Sequence, residues 1–207
     1  MLNLKPIVSA ILQPYVLPWY GIHGVAHWAR VLETGVRLAK ITGASIEIVQ
    51  LFAILHDSRR VTEGIDPAHG IRGAKFAAEL RGKLFDLSDD DFDLLFVACA
   101  GHMDNSTDDD PTVQTCWDAD RLDVGGLGTK IDPWWFGMAT LESPKIMAWA
   151  ERRARAQTIP LLIHREWGIR MERGKNKKSP HPERHPSGRH RLYSARAHAA
   201  RSVLSPI

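Results

Sequence analysis

An all-α fold is what this sequence predicts, and three observations predict it. Apolar residues recur at helical spacing in several successive segments. Those segments open on capping residues or prolines of the kind that start helices. Alternating apolar and polar residues never run for more than a few positions, so strand signals are nearly absent.

The first segment, about 23–41, places Val31, Leu32, Val36, Leu38 and Ala39 on one stripe, and Gly43 closes it. Ser45 caps the second, whose apolar run from Ile46 to Leu55 leads directly into His56 and Asp57. Asp66-Pro67 announces a third, carrying Ile71, Ala74, Phe76, Ala77 and Leu80. A fourth begins at Ser88 with Asp91 completing a capping box, and reaches about His102. After an acidic loop at 104–110, Pro111 opens a helix running toward Asp123, and Ser143-Pro144 opens another through Met147, Trp149 and Ala154.

Composition limits the possibilities. The chain has 207 residues, 44% hydrophobic and 25% charged, which suits one soluble domain with a real core. Its two cysteines, Cys99 and Cys116, are too few for a disulfide framework and read as buried free thiols in a reducing cytoplasm. No apolar stretch is long enough to cross a bilayer, and no membrane association is expected. The apolar N-terminus is interrupted by Pro6, Pro14 and Pro18 and lacks a basic leader region, which argues against a signal peptide. The formal charge of +3 is divided: residues 1–172 hold 18 basic and 23 acidic residues, and residues 173–207 hold 9 basic residues and only Glu183. The expected organisation is an N-terminal arm (1–20), a helical domain (21–172) and a basic, disordered tail (173–207), with a short helix possible at 196–204. Such a tail can touch nucleic acid weakly and without specificity; its lone aromatic, Tyr193, gives no support to base stacking.

Histidines and aspartates gather where the helices end. His23 and His27 are four residues apart and share a face of the first helix. His56-Asp57 leave a core helix, where an uncompensated charge is expensive; a cation is one remedy, Arg59 or Arg60 the other. His69 opens the third helix, His102 ends the fourth, and Asp118, Asp120 and Asp123 crowd the next. Imidazole and carboxylate donors on facing helices suit Mn, Fe, Co, Ni or Zn.

The order His27-x-x-Arg30-Val31, then Leu55-His56-Asp57, then Asp118-Ala119-Asp120-Arg121-Leu122-Asp123 resembles the HD superfamily of metal-dependent phosphohydrolases, over about residues 20–130. The resemblance implies a single HD-type helical bundle with metal ligands His27, His56, Asp57 and Asp120. Asp118 and Asp123 are the nearby alternatives for the last ligand; on a helix Asp118 and Asp120 point about 200° apart, so one alone can face the metal. The stretch Glu63-Gly64-x-Asp66-Pro67-x-His69-Gly70 further resembles a subgroup of small bacterial HD proteins.

The implied activity is hydrolysis of a phosphoester, in a nucleotide or another small phosphorylated metabolite, by water that the metal activates. Asp57 would orient or deprotonate that water and His69 would serve as general acid. Arg59, Arg60, Arg72 and Arg121 are candidates to neutralise phosphate, Arg59 or Arg60 foremost, and His23 lines the pocket. Some HD proteins bind a second metal through extra histidines, a place that His69 and His102 could fill, and a few of these are iron oxygenases. A dinuclear iron oxygenase is therefore one alternative, and a non-catalytic metal-binding regulatory module another. Trp134-Trp135-Phe136 is expected as a packed corner of the core, with a pocket lid as the other possibility.

Overall fold

The computed structural model describes residues 2–104 and 106–171, and among these the chain is helical with no named strand. The expected tail, its possible helix and its nucleic-acid contacts lie outside the described residues. Among the described residues no helix is long and apolar enough to cross a membrane.

The helices are α1 (Lys5–Leu12), α2 (Val25–Thr42), α3 (Ile46–Leu55), α4 (His69–Leu80), α5 (Asp89–Gly101), α6 (Pro111–Gly126), α7 (Met138–Leu141), α8 (Pro144–Arg155) and α9 (Leu162–Arg165). A 3-10 turn, Pro133–Trp135, precedes α7. The start signals act largely as expected. Ser45 Oγ accepts from Ile48 N, Ser88 Oγ from Asp91 N, and the Asp110 carboxylate from Thr112 N and Val113 N. Gly43, with φ of 76°, ends α2 in the left-handed conformation.

Three local expectations are corrected. His23 precedes α2 instead of lying within it, because the helix begins at Val25. Asp66 does not cap α4: its carboxylate accepts from Val61 N and pairs with Arg72, so the helix starts at His69. The proline-interrupted arm contains a helix, α1, whose Pro6 sits in the first turn where its missing N–H costs nothing. Ile7, Val8 and Ile11 of that helix are buried in the core.

Helix α3 is the centre of the bundle. From Ile48 to Leu55 every residue is buried, as expected of a helix apolar on all sides. Helices α2, α5 and α6 pack around it, α4 lies on α5, and α8 closes over α6. The end of α3 that carries His56 and Asp57 therefore abuts α2, α4, α5 and α6.

Close approach of α4 depends on glycine. A Cβ at Gly73 would meet the carbonyl oxygens of Leu55 and His56 at 2.5 and 2.9 Å, and one at Gly70 would meet Cys99 O at 2.5 Å. Backbone cannot yield as a side-chain tip can, so α4 seats His69 only because these positions lack side chains. Gly73→Ala is expected to cost about 1–3 kcal/mol in chemical denaturation, as overpacking against fixed backbone does.

Candidate metal centre

Each histidine at the helix ends is held by its Nδ1. His56 caps α3, with its ring stacked on Phe52 (centroids 4.8 Å apart) and its Nδ1 3.1 Å from Phe52 O. His102 caps α5 with Nδ1 2.8 Å from Cys99 O, and His69 turns its Nδ1 to Asp66 O. His27 Nδ1 is 2.7 Å from Asp123 Oδ2. A carbonyl oxygen can only accept, so three of these rings carry their proton on Nδ1. Asp123 accepts likewise, since Arg30 already donates Nε to its Oδ1 (2.7 Å) and a second N–H to its Oδ2 (2.8 Å).

Four Nε2 lone pairs are thereby turned inward. Those of His27 and His56 face each other at 3.1 Å, and those of His69 and His102 at 2.8 Å. Asp57 stands between the pairs. Its Oδ2 lies 3.5 and 3.6 Å from the first two Nε2 atoms, and its Oδ1 lies 3.0 and 3.8 Å from the second two. Asp120 completes the first set, with Oδ1 3.2 Å from His27 Nε2 and 3.6 Å from His56 Nε2. That oxygen is buried without a hydrogen-bond partner among the described residues.

Facing lone pairs and an orphaned carboxylate oxygen repel unless positive charge lies between them. Donor atoms about 2.0–2.2 Å from one tetrahedral ion sit about 3.3–3.6 Å apart. From the two Nε2 atoms to each other and to the Asp57 and Asp120 oxygens the distances are 3.1–3.6 Å, and His27, His56 and Asp120 form one group whose donors fit a divalent cation in both chemistry and spacing. The second set differs, because Arg60 already reaches it: one guanidinium N–H is 3.5 Å from Asp57 Oδ1 and 3.1 Å from His69 Nε2.

The electrostatics follow from burial and proximity. Burial opposes ionisation of Asp57, but His56, His102, His23 and His69 outweigh it and hold its carboxyl well below the usual range. Asp120 is held down in the same way by His27 and His56 against burial. Burial also disfavours a charge on His27, yet Asp120 and Asp123 prevail and raise its pKa to about 10. Metal binding there competes with protonation of His27. Burial, the largest influence on His102, lowers its pKa and favours the neutral ligand form.

The remaining candidates separate by geometry. Asp118 points away from the cluster: it accepts from Gln114 at 2.6 Å and from Gly137 N at 3.1 Å, and burial raises its pKa to about 6. It secures the Trp134–Gly137 segment, in which Phe136 is buried while Trp134 is 86% exposed. Arg121 donates to the carbonyls of Trp135, Asp104 and Ser106, which engages its guanidinium as a tie between loops and not as a phosphate clamp. Arg59 lies over the Phe76 ring and bonds Ser58 O, and Arg72 pairs with Asp66; neither touches the cluster. Arg60 is the one of these four that does. His23 touches it as well, with Nδ1 3.0 Å from Asp57 Oδ2. Reasoning from sequence assigned no role to Arg30 and treated Asp123 only as an alternative ligand. Their signal was spacing: each lies three residues beyond a cluster member, on the same helical face.

Asp120→Ala is expected to abolish the rise in melting temperature that added metal gives the wild type. Asp118→Ala is expected to keep that rise while losing about 1–3 kcal/mol of stability, the cost of leaving buried donors unmet. Thermal melts with chelator and with excess metal distinguish the two.

Comparison with known proteins returns one result. The HD domain family model matches residues 24–125, a span that holds His27, His56, Asp57, His69, His102, Asp120 and Asp123. No curated protein and no solved structure matches the chain. The chain belongs to the HD superfamily, with residues 24–125 as its HD domain.

Proposed function

We propose that this protein is a metal-dependent phosphohydrolase acting on a small phosphorylated metabolite. The observation that carries the proposal is the convergence of the His27 and His56 lone pairs with Asp57 Oδ2 and the orphaned Asp120 Oδ1 inside an HD domain. When bound there, a divalent cation supplies Lewis acidity, acidifying water and neutralising charge on a phosphoryl oxygen.

The chain's own residues do the positioning. Asp123, clamped by Arg30, fixes the His27 ring, and Phe52 fixes His56 by stacking and by its carbonyl. Asp57 faces the cation side with one oxygen and Arg60 with the other, so its charge is shared and its orientation locked. Two members reach toward solvent, His23 with 16% of its side chain exposed and Asp120 with 11%. The small exposure of these two side chains, with the rest of the cluster buried, favours a small molecule over a polymer. His23, bonded through Nδ1 to Asp57 Oδ2, is placed to pass a proton between solvent and the carboxylate.

The pairing of His69 with His102 on the far oxygen of Asp57 favours a second reading, a dinuclear centre of the kind an iron oxygenase uses. Arg60 competes for that place, and on this ground a single metal is the expected content. Mass spectrometry of the purified protein is expected to give about one equivalent of Mn, Fe, Co, Ni or Zn. His56→Ala and Asp57→Ala are expected to lose it, with aryl-phosphate turnover falling by more than the roughly 10–100-fold that loss of an outer-shell partner costs. Two irons per chain without phosphatase turnover would establish the oxygenase instead.

A further inference from the structure

The metal cluster is also touched from outside the HD domain. That domain spans residues 24–125, yet His23 Nδ1 lies 3.0 Å from Asp57 Oδ2, the oxygen turned toward the His27 and His56 Nε2 atoms. His23 sits in a turn. The ladder of α2 opens one residue later, where Gly24 O accepts from Trp28 N at 3.2 Å, so the His23 carbonyl lies ahead of it. That carbonyl accepts instead from the Tyr15 hydroxyl, at 3.0 Å. Tyr15 is itself well anchored. It follows α1, whose Ile7, Val8 and Ile11 are buried in the core, and its ring meets the fully buried Trp28 edge-on with centroids 5.1 Å apart. Burial raises the phenol well above its usual pKa and the charge on Asp57 adds to the rise, so the hydroxyl keeps its proton and donates.

A ring carried on a turn keeps its place only as well as the backbone beneath it, and a misplacement of about 1 Å is costly for a positioned group. Partners of metal-facing carboxylates orient them and strengthen their hold on the cation. We propose that Tyr15 is a positioning residue of the metal centre: through the His23 carbonyl it holds the His23 ring on Asp57, and with it the carboxylate oxygen that faces the cation. The N-terminal arm is thereby part of the site, bringing to the HD domain a tether that residues 24–125 do not contain. The proposal rests on the reading of the cluster as a metal centre.

Competition for Co²⁺ against a chelator tests this on the full chain, in the wild type, Tyr15→Phe, His23→Ala, His23→Asn and Tyr15→Phe combined with His23→Ala. His23→Ala is expected to bind Co²⁺ about 10–100-fold more weakly, as loss of an outer partner of a metal ligand does. His23→Asn, whose amide N–H can stand where Nδ1 does, is expected to recover most of that loss. Tyr15→Phe is expected to weaken binding about 3–10-fold, the worth of one hydrogen bond, and to add nothing in the His23→Ala background. A tyrosine that only stabilises the fold would weaken both backgrounds alike. That result would overturn the proposal, as would wild-type affinity in Tyr15→Phe. His23→Asn binding as weakly as His23→Ala would overturn it too, and make His23 a metal ligand. A wild type that binds no Co²⁺ would overturn the metal centre and the proposal together. The expected pattern without aryl-phosphate turnover would reject the phosphohydrolase and keep the positioning role.

Discussion

The charge on Asp57 organises this structure. Its carboxylate is 2% exposed at the end of the most apolar of the described helices, the place where an anion is hardest to keep. What makes it tolerable is a ring of partners drawn from every side: His23 ahead of α2, His27 on α2, His56 on α3, Arg60 after it, His69 on α4 and His102 after α5. Without those elements converging on one end of α3 the carboxylate could not stay ionised. The packing of the bundle and the chemistry of the cluster are one constraint.

Orientation comes from a second layer that is mostly backbone. Phe52, Asp66 and Cys99 each lend a carbonyl to a ring Nδ1, so three of the four inward lone pairs are set by backbone at or beside helix ends. The fourth, on His27, is set by a charged side chain instead, Asp123, whose carboxyl the His27 and Arg30 hydrogen bonds hold below its usual range against burial. Arg30 in turn donates to Thr158 O, which ties the cluster to the segment that follows α8. The closeness of the helices that this requires is permitted by Gly70 and Gly73, whose missing side chains let α4 rest on the backbone of α3 and α5.

Asp118 and Asp120 show how far spacing alone reaches. Two aspartates two residues apart on a helix must diverge, and they do: one meets His27 and His56, the other holds the Gly137 turn. The arginines were harder. Arg59 and Arg60 are adjacent in sequence and equal in chemistry, yet Arg59 lies on Phe76 and Arg60 on Asp57. Nothing local distinguishes them, because both meet α4 and the choice depends on which of the two the turn after α3 aims at the cluster. Helix α1 was hidden by its prolines, and its place in the core follows from contacts between Ile7, Val8 and Ile11 and residues distant in sequence.

The sequence by itself determined the helical class, the starts of α3, α5, α6 and α8, and the family motif with His27, His56, Asp57 and an aspartate on α6. These follow from periodicity, capping chemistry and residue order, which are local properties of a chain. Tertiary structure decided which nitrogen of each histidine faces inward, that Asp57 stands between two histidine pairs, and that Arg60 rather than Arg59 meets it. Each of those depends on side chains from separate helices meeting at one point. Such a meeting is set by how the helices pack, and a linear pattern carries no record of it.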